Sequence, residues 1–421
     1  MEAMPAADPP RVAFFTDSFH EVNGVALTSR HFDAFARRRG LPFLSVHAGP
    51  RTVFTEDGPV WTFELKRGFA RVGLDRGLYF DPFLLRHAPA VVAATRRFRP
   101  SVIHFTGPGD MGCLAVLTAI ALGVPLAGSW HTNLHEFAAQ RLENLLAFLP
   151  TPARTVAGKM ASAASLAIAL SFYKFARVCL APNPELIALL ERGTARPTFL
   201  MLRGADSALF HPAKREPGAR PFTLGFTGRL QAEKNVRFLA TLERSLLDAG
   251  YRDYRFLIVG DGGEKAWLQR NLRYAEFPGV LTGEPLARAY ANMDVFVFPS
   301  RTDTFGNVIL EAMASGVPVV VTADGGPKFL VRSGVDGFIA AEDESFAHCV
   351  RRLYDDRELR ENMSAAARRH ATSLRWDHTF EQVYAAYGAC FPSPKTVALR
   401  SSFPQPTNRP RIAYSSDFPK T

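Results

Sequence analysis

A chain of 421 residues with 47% hydrophobic content can bury a large core and is more naturally two domains than one. Its cysteines, Cys113, Cys179, Cys349 and Cys390, stand far apart with no CxxC pair and no histidine at metal-ligand spacing; this suggests neither a disulfide framework nor a zinc site, and suits a reducing cytosol. Residues 1–218 hold 24 Lys and Arg against 17 Asp and Glu, while residues 219–390 hold 21 against 22, so the front half is the part expected to meet an anionic partner.

In chain order, the N-terminus "MEAMPAADPPRVAFF" lacks the basic start and unbroken apolar core of a secretory signal, and the first strand is expected in "RVAFFTDSF". The loop "DSFHEVNGVALTSR" leads into a helix over residues 25–39, and Gly24 at its start lets backbone approach a ligand closely. Further strands are expected in "PFLSVHAG", "SVIHFTG" and "PLAGSWHT", with helices over residues 84–97 and 111–122. Between the second and third of these strands, Lys66, Arg67, Arg71, Arg76, Arg86, Arg96, Arg97 and Arg99 are interleaved with Phe69, Leu74, Leu78, Tyr79, Phe80 and Phe83. Proteins rest on anionic membranes with such mixtures; solvated surface charge or a phosphorylated soluble acceptor fits the same pattern. The apolar run "MGCLAVLTAIALGVPLAG" is broken by Gly123 and Pro125 and falls short of the roughly 20 residues needed to span a bilayer, so the chain reads as soluble.

The polar stretch "HPAKREPGARP" suits a linker. After it the pattern restarts with strands in "FTLGFTG", "RFLIVG", "GVLTG", "DVFVFPS" and "VPVVVTA", again with helices between. Strands alternating with helices mean parallel sheets covered on both faces. The expected organisation is an α/β front domain over residues 1–210, a linker over 211–221, a second α/β domain over 222–375, and a helix over 376–390. The Pro- and Ser-rich basic tail, residues 391–421, is expected to be disordered.

Chemistry concentrates in "SRTDTFGNVILEAMASGVPVV". A helix expected over residues 305–315 begins at the carboxyl end of a strand, where Phe305, Gly306, Asn307 and Val308 offer unpaired backbone N–H groups to an anion. Glu311 lies on the face of Asn307 and Val308, and helical side chains lean toward the N-terminus. Its carboxylate can accept the two hydroxyls of a ribose next to a bound phosphate; a carboxylate in so apolar a helix is costly without a partner. Asp303 could hold a further polyol, or could be an ordinary helix N-cap worth roughly 1 kcal/mol. In "GFTGRLQAEKNV", Arg229 and Lys234 follow the first strand of the second domain and could neutralise a departing diphosphate without a metal. "SVIHFTGPGDMGCL" matches G-x-G-x-x-G at Gly107, Gly109 and Gly112, but the following strand ends in "SWHTN" with no acid, so a turn and packing device is expected ahead of an NAD site. No Asp-x-Asp is present to bridge a metal to a diphosphate.

"SRTDTFGNVILEAMASGVPVV", "GFTGRLQAEKNV" and "LIVGDGGEKAWL" together resemble the retaining glycosyltransferases of family 4. Among these the chain looks most like the GDP-mannose-dependent α-mannosyltransferases and related glycolipid glycosyltransferases, over roughly residues 11–390. The resemblance implies the GT-B fold, two Rossmann-like domains facing across a cleft. It also implies transfer of a hexose, mannose or glucose, from a nucleoside-diphosphate sugar to an acceptor, a membrane glycolipid among the candidates. It places Glu311 on the ribose, Asp303 on the donor sugar, Arg229 and Lys234 on the diphosphate, Gly24 across the cleft from the phosphates, and His131 of "GSWHTNLHEF" beside the anomeric carbon. Glu136 would meet an acceptor hydroxyl. The implied reaction is front-face attack, with the leaving phosphate taking the acceptor proton and no metal or other cofactor; the cysteine usage and the charge distribution add the expectation of a cytoplasmic protein that can rest on the inner membrane face. Two departures stand out: Asp303 replaces the usual Glu, and Lys328 follows the glycine pair where relatives carry an acid. The rival readings are an NAD-dependent oxidoreductase and a nucleotide-sugar binder without turnover.

Overall fold

The computed structural model describes residues 9–68, 72–75, 78–133 and 151–391. Glu136, Phe69, Arg71, Arg76 and the tail from residue 392 lie outside them.

The front half builds an eight-stranded sheet. Its strands are β1 (Val12–Thr16), β2 (Phe43–Gly49), β3 (Val53–Asp57), β4 (Val60–Lys66), β7 (Val102–Phe105), β8 (Leu126–Ser129), β9 (Val178–Ala181) and β10 (Thr198–Leu200), in spatial order β10-β9-β8-β7-β1-β2-β4-β3; β5 (Val72–Asp75) and β6 (Leu78–Phe80) form a separate ribbon. All neighbours pair in parallel except β3 with β4, a hairpin that the expected strands omitted. The alternation of β1 feeds both faces: Ala13 and Phe15 enter one core, Val12 and Phe14 the other. Among the described residues the α-helices of this half are α1 (Gly24–Arg39), α2 (Ala88–Phe98), α3 (Asp110–Leu122), α4 (Thr151–Tyr173) and α5 (Pro184–Thr194). The single helix expected over residues 84–97 is split into a 3₁₀ segment, Pro82–His87, and α2. Pro89 accounts for the break, because it has no N–H to donate to a carbonyl of the preceding turn and is tolerated in the first turn of a new helix.

The second sheet holds β11 (Phe222–Thr227), β12 (Tyr254–Val259), β13 (Ala275–Gly279), β14 (Val295–Phe298), β15 (Val319–Thr322) and β16 (Gly337–Ala340) in the order β13-β12-β11-β14-β15-β16. Its helices are α6 (Phe238–Asp248), α7 (Lys265–Asn271), α8 (Gly283–Ala291), α9 (Asn307–Ala314), α10 (Asp343–Asp355) and α11 (Arg357–Ser373). The strand expected in "GVLTG" lies earlier, at β13. Gly279 takes φ +83° and turns the chain away, leaving Val280 exposed, and Pro278 is tolerated because β13 is an edge strand.

The last helix, α12 (Trp376–Tyr387), returns to the front sheet, where Phe380 stacks on Phe32 at 4.5 Å and Arg38 pairs with Asp377 at 2.6 Å. The two chain crossings lie side by side: a Cβ on Gly204 would sit 2.4 Å from the Trp376 nitrogen. The stretch 211–221 is fastened to the second sheet's domain, with Lys214 paired to Glu284 and Arg215 to Asp294.

Candidate functional site

In the second sheet the chain runs outward from β11 through β12 to β13, then restarts at β14 on the other side of β11 and runs through β15 to β16. The reversal between β11 and β14 is the switch point at which open α/β sheets bind ligands, at the carboxyl ends of the strands. Arg229 and Lys234 follow β11, and Asp303 follows β14. Lys234 pairs with Asp303, the Asn235 amide donates to the Pro299 carbonyl at 3.2 Å, and the Thr302 hydroxyl donates to the Glu233 carbonyl at 3.0 Å. Arg229 lies 3.2 Å from Glu233. Both cations therefore already face carboxylates along the line where an anion would enter.

Helix α9 starts two residues later than expected. Its N-cap is Gly306 at φ +93°, a conformation that side-chain-bearing residues rarely adopt, and no side chain caps it. Asp303 is thus not an N-cap. One of its oxygens takes Lys234 and the other is buried without a partner. Phe305 lies before the helix with its ring buried in the core, so the first turn begins at Asn307 and Val308. Gly326 supports this loop from below: its N–H donates to the Asp303 carbonyl at 2.6 Å, and a Cβ there would stand 1.9 Å from the Thr304 oxygen.

Glu311 is half-buried on α9, and the Tyr290 hydroxyl donates to its Oε2 at 2.8 Å. Burial pushes its pKa up to about 7, and the Tyr290 hydrogen bond opposes that rise in part. Both amide atoms of Asn307 are buried without a partner. They face Gly24, where a Cβ would come 3.2 Å from the Asn307 nitrogen. An unsatisfied buried polar group costs about 1–3 kcal/mol. Asp303 and Asn307, orphaned on either side of one helix start, mark the place where a polar ligand would complete the bonding.

His131 follows β8 on the facing domain, and a guanidinium that the sequence did not single out reaches it. Arg203, 4% exposed, donates to His131 Nδ1 at 2.9 Å, to the Gly24 carbonyl at 2.9 Å and to the Thr28 hydroxyl at 2.7 Å, and lies 5.6 Å over the Phe305 ring of the second domain. Because Arg can only donate, His131 Nδ1 must accept, and its proton sits on Nε2, which reaches the Ser129 hydroxyl at 2.6 Å. Ser129 in turn lies 2.8 Å from His104 Nε2, and His104 Nδ1 lies 2.6 Å from the Tyr387 hydroxyl on α12. Burial first, then the Arg203 charge, push the His131 pKa well below its usual value. The ring is neutral and both of its nitrogens are committed to protein. Burial lowers Arg203 itself to about 10, leaving it charged.

The two domains meet directly over this site. The Thr304 hydroxyl donates to the His131 carbonyl at 2.8 Å, the Asn183 amide to the Thr304 carbonyl at 2.8 Å and the Asn133 amide to the Thr302 carbonyl at 3.3 Å. Lys328 pairs with Glu185 of the front domain at 2.7 Å, which gives the basic residue after the glycine pair a partner across the cleft.

The G-x-G-x-x-G stretch is a packing device. A Cβ on Gly112 would stand 2.0 Å from the Gly107 carbonyl, and the Met111 N–H at the start of α3 donates to Asp17 Oδ1 at 2.9 Å. A carboxylate occupies the place where a dinucleotide phosphate would bind, and the oxidoreductase reading falls with it.

Residues 221–356 match the family model described as glycosyl transferases group 1. The chain is 32% identical over 392 residues to a GDP-mannose-dependent alpha-mannosyltransferase of Corynebacterium glutamicum, covering 90% of this chain and 89% of that protein. It is 31% identical over 312 residues to a sulfoquinovosyl transferase of Arabidopsis thaliana, covering 70% of this chain and 58% of that one. Among solved structures, the sucrose-phosphate synthase of Thermosynechococcus elongatus superposes over 90% of this chain and 99% of its own, with a TM-score of 0.68 and 18% identity. An Anabaena protein in complex with UDP and glucose superposes over 90% and 99%, with a TM-score of 0.63 and 17% identity.

Proposed function

Since the chain belongs to the group 1 glycosyl transferases of the GT-B fold and transfers a hexose from a nucleotide sugar, we propose that the hexose is mannose or glucose, moved with retention by a site that needs no metal. The observation that carries this reading is the grouping of Arg229, Lys234, Asp303 and Glu311 around one sheet switch point. In it the diphosphate lies at the first turn of α9, and Arg229 and Lys234 take up the negative charge that grows as the sugar leaves. The ribose hydroxyls donate to Glu311. The hexose hydroxyls donate to the orphaned oxygen of Asp303, whose shorter side chain is compensated by a backbone held close by Gly326.

With both ring nitrogens bonded to Ser129 and Arg203, His131 has no free base to offer an acceptor. That supports proton transfer from the acceptor hydroxyl to the leaving phosphate oxygen, on the face from which the bond breaks, and gives His131 a positioning role beside the donor. Arg203 holds that ring and the Gly24 backbone in one grip. Incubation with GDP-, UDP- and ADP-linked mannose and glucose tests the reading: turnover of one base's sugars, undiminished by a chelator, is expected. Binding without any turnover would leave a nucleotide-sugar binder.

The same proposal places the acceptor on the front domain at a cytoplasmic membrane surface. Arg67 does not contribute, since it is nearly buried and donates to the Asp17 carbonyl at 2.6 Å. Support comes from Phe83 and Leu85, exposed next to Arg86, and from α4, where Val156, Met160 and Ile168 are exposed on one side. The opposite side of α4 sends Ala169 and Tyr173 into the core. Arg154–Tyr173 is apolar and long enough to cross a membrane, but a helix with one face built into a domain core suits lying on a bilayer.

A further inference from the structure

A second cluster on the front domain lies apart from the donor residues and is composed of metal-ligand side chains. His47 lies near the end of β2, Glu64 is its register partner on β4, and His20 stands on the loop between β1 and α1. One ligand atom from each lies within 4.8 Å of the others. His20 Nε2 is 3.2 Å from Glu64 Oε2, and His47 Nε2 is 4.0 Å from the same oxygen. Ligands of a tetrahedral zinc ion, at about 2.0–2.2 Å from the metal, stand about 3.3 Å from one another. Side-chain adjustment of about 1–1.5 Å therefore completes three sides of such a site.

The atoms that would not touch the metal are already held. The other ring nitrogen of His47 lies 3.2 Å from the Ser45 hydroxyl, and its ring stacks on Phe19 at 4.0 Å. The other oxygen of Glu64 accepts the Arg51 N–H at 2.9 Å. Glu64 lies flat over Gly49, where a Cβ would stand 2.6 Å from its side-chain carbons. Outer partners that fix tautomer and ring direction are the usual companions of a metal site.

We propose that His20, His47 and Glu64 bind a divalent transition-metal ion of the zinc class in a structural role, with a fourth position open to water. Two imidazoles and one carboxylate are borderline donors, suited to zinc or cobalt over magnesium or calcium. The ion pins the loop that carries His20 to the strand ends, four residues before Gly24 enters the donor cleft. It is separate from the diphosphate, which Arg229 and Lys234 serve. The sequence conceals the site because its ligands come from three elements and include no cysteine.

The test is cobalt titration of the full, untagged chain after chelation and dialysis, read by visible d–d absorption and competed with zinc. One equivalent of tetrahedral cobalt is expected, displaced by zinc. His20→Ala and Glu64→Gln should abolish stoichiometric uptake, and Ser45→Ala should weaken it by about 10- to 100-fold. Zinc should also raise the melting temperature of the wild type but not of His20→Ala. His20 is exposed enough that its variant will fold. No stoichiometric cobalt uptake by the wild type, or equal uptake by His20→Ala, would overturn the proposal.

Discussion

Replacing Glu311 with Gln should make the empty protein more stable at alkaline pH and the nucleotide-bound protein weaker. In the folded chain the carboxyl is raised from 4.5 to about 7 by burial. At 1.36 kcal/mol per unit this is on the order of 3 kcal/mol. The folded state holds that proton more tightly than the unfolded one, so the contribution is present in full below about pH 4.5 and is lost as pH rises through about 7. Gln has no proton to lose and escapes the loss, so the variant should gain in melting temperature on the wild type between pH 5 and pH 8. Binding runs the other way. On the proposed assignment ribose hydroxyls donate to the ionised carboxylate, so wild-type affinity for a nucleotide sugar should rise between pH 6 and pH 8 while that of Glu311→Gln stays flat. At pH 8 the variant should be weaker by about 10- to 100-fold, the equivalent of a charge-assisted hydrogen bond worth about 1.5–3 kcal/mol. Calorimetric titration at both pH values with thermal melts of the empty protein provides the measurement. Equal affinity of variant and wild type at pH 8 would refute the ribose assignment.

Arg229→Ala should lower kcat by about 10² to 10³, because the charge it is proposed to meet grows in the transition state; a rise in KM alone would show uniform binding. Arg203→Lys keeps the charge but loses the fork that joins His131, Gly24 and Thr28, so donor affinity should fall and the His131 imidazole nitrogen shifts should lose their fixed-tautomer pattern; unchanged shifts would reject the positioning role. The protein should sediment with anionic and not neutral liposomes, less so as salt rises, and Met160→Glu with Ile168→Glu should reduce recovery; equal recovery with both liposome types would point to a soluble acceptor.

The group at the sheet switch point was legible because its signals are local. An acid in the apolar run "NVILEAMASGV" and two cations just after a strand are anomalies that a sequence displays, and strand periodicity places both at one sheet edge. Asp303 was open between cap and ligand, since the deciding fact is the left-handed Gly306, which takes over the N-cap. Arg203 was invisible for a different reason. Nothing near it in sequence is unusual, and its meaning comes from Gly24, Thr28, His131 and Phe305, which only the fold assembles. The β3–β4 hairpin escaped notice because its outer strand is mostly exposed, with a burial pattern that gives no apolar alternation.

The most direct test of the account is a crystal structure with a bound nucleoside-diphosphate sugar. It should show ribose hydroxyls within hydrogen-bond distance of Glu311, the diphosphate at the first turn of α9 beside Arg229 and Lys234, and the hexose against Asp303. A nucleotide bound elsewhere, at the start of α3 beside Gly107 and Gly109 or on the outer faces of the sheets, would contradict it.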